Sequence, residues 1–147
     1  MNTKITTSFN WNCRHTWKKS SYNTLWCLIG CSIGDFGTIF FFQISSISFP
    51  VLTIMILAII NGLITSIILE TIILFKQMKF YKALQTALGM SFISMISMEV
   101  AMNLVDFILT GGAEINYFVV PIMLVTGFLT PLPYNYWRLK KYDLSCH

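Results

Sequence analysis

Long apolar runs separated by short polar segments set the pattern of this chain. The runs cover residues 22–42, 50–75, 83–110 and 116–137. Each is long enough for the roughly 17–25 residues that a helix needs to cross a bilayer. Backbone groups in lipid must be paired inside their own segment, so helices are expected and open strands are not. The connections agree. Residues 43–49 (QISSISF) are polar enough to turn, and Pro50 suits a helix start. Residues 76–82 (KQMKFYK) make a short basic loop, and Gly111-Gly112 is a good helix stop. The pattern predicts an all-α fold: an integral membrane bundle of four transmembrane helices over residues 22–137. A tail of residues 1–21 precedes it and a basic tail of residues 138–147 follows.

Charge adds a topology. All ten basic residues lie in the N-terminal tail, the basic loop or the C-terminal tail. An even number of crossings separates those segments, so both termini are expected on the cytoplasmic side of the cell membrane. Trp17, Trp26, Tyr81, Tyr134, Tyr136 and Trp137 fall near the same surface, as an interfacial aromatic belt would. Only 11% of the residues are charged, far below the roughly 25% of a soluble domain. The net charge of +4 is therefore a topology signal, and nucleic acid is not an expected partner. The first twenty residues lack an apolar run followed by a cleavage site, so no signal peptide is expected.

The acidic residues change the picture most. Asp35, Glu70, Glu99 and Asp106, four of the six, lie inside the apolar runs. A carboxylate in lipid with no basic partner at its depth needs a proton, polar neighbours or a cation. An acid at mid-bilayer costs about 2.5–3.5 kcal/mol, which a run of Ile and Leu at about 0.3–0.6 kcal/mol each can offset. Insertion therefore permits these acids without explaining them. Cys27, Cys31 and Asp35 are spaced by four and share a helix face. Gly30, Gly34 and Gly37 beside them form a small-residue strip suited to close helix packing. In the second run Gly62, Ser66 and Glu70 share a stripe, with Glu70 close enough to Lys76 to be solvated or paired at the interface. In the third, Met95, Met98, Met102 and Asp106 run along one face, with Glu99 and Asn103 at its edge. Methionine stripes are commonly adaptable packing, although thioethers and thiolates also select soft ions such as copper, and thiolates bind zinc. Asp35, Glu99 and Asp106 on facing helices would repel one another if all were ionised, so the cluster is expected to hold protons or a cation.

Pro121, Pro131 and Pro133 interrupt the fourth run, and the last two are expected to end the regular helix early. The carbonyls they free can be re-paired by Thr126 or Thr130. Cys13-x-His15 and Cys146-His147 are expected to be tail residues in a reducing compartment, with no disulfide framework.

CLIGCSIGD at residues 27–35, Ser94 to Glu99 with Asn103, and Pro133-Tyr134-Asn135 before a basic tail ending in His147 carry a resemblance. The sequence resembles a family of small bacterial membrane proteins grouped as domain of unknown function 4396. The resemblance implies a compact helical membrane domain and supplies no reaction.

From the residues, the leading expectation is a small membrane protein that binds or moves a proton or a soft metal ion. Asp35, Glu70, Glu99, Asn103 and Asp106 would hold the cation, and Cys27, Cys31, Met95, Met98 and Met102 would be sulfur ligands for copper or zinc. Four thin helices would need a homo-oligomer or a larger membrane complex to enclose a path. The alternative is an accessory subunit whose polar residues only lock helices together. A thiol oxidoreductase is the weakest reading, because the pair is C-x-x-x-C and no quinone or flavin signature accompanies it. No nucleotide loop, H-E-x-x-H or nucleophile elbow is present, so an enzymatic role is not expected.

Overall fold

The structure, a computed structural model, describes residues 11–76 and 79–142. The described segments are helical, in the order α1 (Arg14–Ser45), α2 (Val51–Phe75), α3 (Phe80–Thr110), α4 (Val119–Leu129) and α5 (Leu132–Tyr142). Local signals set several boundaries. The Pro50 carbonyl accepts the amides of Thr53 at 2.9 Å and Ile54 at 3.2 Å, opening α2. α3 stops at Gly111, which takes φ +72° and donates its N–H to Phe107 O at 2.9 Å. That left-handed turn carries no strain without a Cβ. Asn116 prepares α4: its side-chain oxygen accepts the Phe118 amide, and its carbonyl accepts those of Val119 and Val120.

Three helices, α1, α2 and α3, are long and apolar enough to cross a membrane. Their outward faces are apolar, with Ile56, Ile60, Ile64, Ile68 and Ile72 exposed along α2. That surface matches hydrocarbon, not water. The fourth run differs from expectation. It is two helices of 11 residues each, each about 16 Å long, or about half a bilayer core. Pro131 and Pro133 have no N–H to give to Gly127 and Leu129, so the ladder breaks between Leu129 and Leu132. Thr130 Oγ1 does not repair it, because it donates at 2.7 Å to Thr126 O, which already accepts the Thr130 amide. Beyond the break PLPYNYW does not unwind but starts α5.

α1 lies along α2 at very close range. A Cβ on Gly30 would meet Ser66 Cα at 2.7 Å, and one on Gly34 would collide with the Asn61 carbonyl and Thr65 Oγ1. Hydrogen bonds cross the same seam: Thr65 Oγ1 donates to Gly30 O at 2.7 Å, and Asn61 Nδ2 to Thr38 Oγ1 at 2.8 Å. The buried core behind the seam contains Cys27, Leu28, Cys31, Met95, Met98, Met102, Val119 and Met123.

Part of the N-terminal tail is helical and packed. α1 starts at Arg14, and its first turns dock on α5. Trp17 and Trp11 stack on Tyr136, with ring centroids 4.3 Å and 5.2 Å away. The Cys13 amide donates to Tyr136 Oη at 3.2 Å, and Asn135 Nδ2 donates to Thr24 Oγ1 at 2.8 Å. Tyr136 is fully buried there, so it is an anchor between segments and not a member of an interfacial belt. Cys13 is disulfide-bonded, whereas Cys27 and Cys31 are free thiols. The expectation of reduced tail cysteines is corrected for Cys13, and the aromatic docking explains how a tail comes to be held in place. Cys146-His147 lies outside the described residues.

Tyr136→Leu removes the stacking and the hydrogen bond together. It should cost about 1–3 kcal/mol and expose Trp11 and Trp17. A red shift of tryptophan emission in detergent checks this; unchanged emission and thermal stability would contradict it.

Candidate functional site

Helical spacing places Cys27, Cys31 and Asp35 on the inner face of α1, where all three are buried. α3 meets that face with Met95, Met98, Glu99, Met102, Asn103 and Asp106, each at most 1% exposed. Asn103 is the link. Its Nδ2 donates to Asp35 Oδ1 at 3.0 Å and to Glu99 O, one turn back, at 3.1 Å. The helices α1 and α3 thus join through a carboxyl and an amide 68 positions apart.

Glu99 reaches toward α2. Its carboxyl lies where a Cβ on Gly62 would be, so the glycine leaves it room and a larger residue would displace it. The Cys31 thiol and the Asp35 carboxyl are polar neighbours of it on α1. Neither Glu99 oxygen has a hydrogen-bond donor, and Asp35 Oδ2 and Asn103 Oδ1 also lack one among the described residues. Four acceptor atoms therefore stand in the interior of an apolar bundle, two of the side chains acidic. Leaving a buried acceptor unpaired costs about 1–3 kcal/mol, and more for a charged one.

Two of the predicted site residues have partners of their own. Asp106 is buried farther along α3, and both its oxygens are occupied. Oδ1 accepts the Thr110 hydroxyl and Oδ2 the Glu114 amide, each at 3.2 Å, which closes the turn after α3. Glu70 lies toward the other end, beside Arg138 of α5, and lines with it a cavity of about 30 Å³. Along the chain the basic residue near Glu70 is Lys76 of the loop; in the fold Arg138 of α5 lies beside it.

The five predicted sulfur residues do gather. Cys27, Cys31, Met95, Met98 and Met102 share the core with Met123 of α4. Met102 fits against Gly127, where a Cβ would meet its Sδ at 2.7 Å. Among the described residues no three His, Cys, Asp or Glu side chains converge as a metal-binding group. Sequence reasoning missed Gly62 as the seat of Glu99, Met123 in the sulfur core, and Arg138 beside Glu70. A glycine inside an Ile/Leu run was the available signal for the first. The other two carry no local signal, because their neighbours come from distant helices.

A bundle with three membrane-length helices and carboxyls sealed in its interior defines a helical, membrane-type protein. The family described as Domain of unknown function (DUF4396) matches residues 16–143, and the chain belongs to that family. No curated protein and no solved structure matches it.

Proposed function

We propose that this is a multi-pass cell-membrane protein that binds a proton or a single cation at Asp35, Asn103 and Glu99 and passes it through the bundle. One observation carries the reading: the buried oxygens of Glu99, Asp35 and Asn103 that have no hydrogen-bond partner among the described residues. Two adjacent carboxylates without a cation at their depth cannot both stay bare in a low-dielectric interior. A proton on one of them, or a cation between them, removes the repulsion and pairs the free oxygens. Such a site exchanges its occupant when one side of the membrane gains access to it.

The membrane topology belongs to the same proposal. α4 and α5 together make the fourth crossing, broken at Pro131. Arg14, Lys18, Lys19, Lys76, Lys79, Arg138, Lys140 and Lys141 then mark one end of the bundle, which the charge rule makes cytoplasmic; the Cys13 disulfide at that end is an exception to the reducing compartment. A homo-oligomer or a larger membrane complex completes the wall of the path, since a bundle this thin leaves the outer faces of α2 to lipid or to neighbours. The sulfur core beside Glu99 favours a soft ion such as copper as the metal version of this reading.

A second reading has an observation of its own. Gly62 seats Glu99, and Asn103 ties α3 to α1. An accessory subunit would need these only to fix its packing.

Purified protein in vesicles, with a pH-sensitive dye inside and copper and zinc measured on the protein, tests the first reading. Wild type should show proton flux or retain metal. Asp35→Asn, which keeps a partner for Asn103, should lose at least about tenfold of either, the equivalent of about 1.4 kcal/mol. Wild-type protein that moves no proton and retains no metal would sink the proposal.

A further inference from the structure

We propose that the small polar cavity beside Arg138 is a water site that admits protons from the basic end of the bundle to Cys27. It is then the entrance to the Glu99–Asp35 pair, and in that respect rests on the function proposed above. The cavity has a volume of about 30 Å³ and lies where four helices meet: Asn23 and Cys27 from α1, Glu70 from α2, Ser94 from α3, and Asn135 and Arg138 from α5. One water needs about 10–15 Å³ of such volume and two or more polar partners. Room for one or two waters is therefore available.

The partners are present. Ser94 is 2% exposed, and its hydroxyl has no partner among the described residues. Arg138 Nε and Nη1 are likewise buried without an acceptor. Charge selects the occupant. Glu70 on one wall opposes a bound anion, and Arg138 on another opposes a bound metal cation, so a neutral, two-way hydrogen-bonding molecule fits both. Asn23 is exposed and forms the outer side. The inner side is Cys27, whose Sγ lies 3.5 Å from Ser66 Oγ and next to the Cys31 thiol one turn on. Cys31 in turn neighbours Glu99. A proton arriving on a cavity water thus meets a succession of S–H and O–H groups that ends at the buried carboxyl. At each step one group accepts a proton and releases another, so no net charge is stored on the thiols.

Infrared spectroscopy of the full-length protein in vesicles tests this through the Cys27 S–H band, assigned by its loss in Cys27→Ala. After transfer to D2O the wild-type band should convert to S–D as fast as buffer is exchanged. Ser94→Val fills the cavity, and Asn23→Leu closes its exposed side with little risk to folding. Both should slow conversion by on the order of tenfold or more, because exchange then waits for local opening. A wild-type Cys27 that stays S–H, or one whose exchange neither variant slows, overturns the proposal. Fast exchange in a protein without proton or cation flux keeps the water site and removes the function. Flux with a protected Cys27 does the reverse.

Discussion

Glu99→Gln should abolish proton or cation turnover in reconstituted vesicles while leaving the bundle folded. Glutamine has nearly the same volume as glutamate and fits the recess left by Gly62, into which the Glu99 carboxyl projects. It also keeps polar atoms near Cys31 and Asp35. It cannot ionise, so it cannot exchange a proton for another cation. The stability change should therefore be small, within about 1 kcal/mol, because no cavity forms and no paired charge is stranded. Glu99→Leu makes the complementary case. It removes two acceptors that have no hydrogen-bond partner among the described residues, and replacement of such groups by apolar ones is often neutral or stabilising. A leucine variant that is folded, at least as stable and inactive would place the role of Glu99 in chemistry. A glutamine variant with wild-type flux would instead support the accessory-subunit reading, in which the side chain only packs.

Gly34→Ala should be among the most damaging single-methyl changes in the chain. The added Cβ would collide with the Asn61 carbonyl and Thr65 Oγ1 on α2. A backbone carbonyl inside a helix has no rotamer to change, so α1 and α2 must separate. Separation strains the Thr65 bond to Gly30 O and the Asn61 bond to Thr38, which cross the seam on either side. Overpacking of this kind costs about 1–3 kcal/mol, and each interhelical hydrogen bond lost in a membrane bundle adds about 0.6 kcal/mol. Asp35 follows Gly34 directly, so the shift also moves the Asp35–Asn103 contact and should lower activity. Gly37→Ala is the control. A Cβ there meets nothing within 4 Å, and its effect should stay within about 0.5 kcal/mol. Thermal unfolding of both variants in the same detergent checks the contrast; equal midpoints would contradict it.

Both expectations draw on a site that was half legible in the chain. The α1 spacing of Cys27, Cys31 and Asp35 and the α3 spacing of Met95, Met98 and Met102 identified buried faces correctly. Helical geometry fixes which residues share a face, whatever surrounds them. The same spacing could not separate Asp106 from Asp35 and Glu99 in role. Whether Asp106 joined the pair or closed a turn depended on where the Glu114 amide fell after Gly111. Glu70 shows the converse: its neighbour at 76 was visible, and its neighbour at 138 was not.

From the chain alone came the helical class, four expected membrane segments of which α1, α2 and α3 have membrane length, the start at Pro50, the stop at Gly111 and the inward faces of α1 and α3. All of these follow from local hydrophobicity, a fixed turn of about 100° per residue and backbone chemistry at single positions. Only the tertiary structure decided that the segment beyond the proline break packs as α5 against α1, that Tyr136 pins the first turns of α1, that Glu99 rests on Gly62 and that Asn103 bonds Asp35. Those outcomes depend on helix rotation and register, set by contacts between residues such as Asp35 and Asn103, 68 positions apart. No window along the sequence contains both partners of such a contact, so their meeting is determined only when the helices pack.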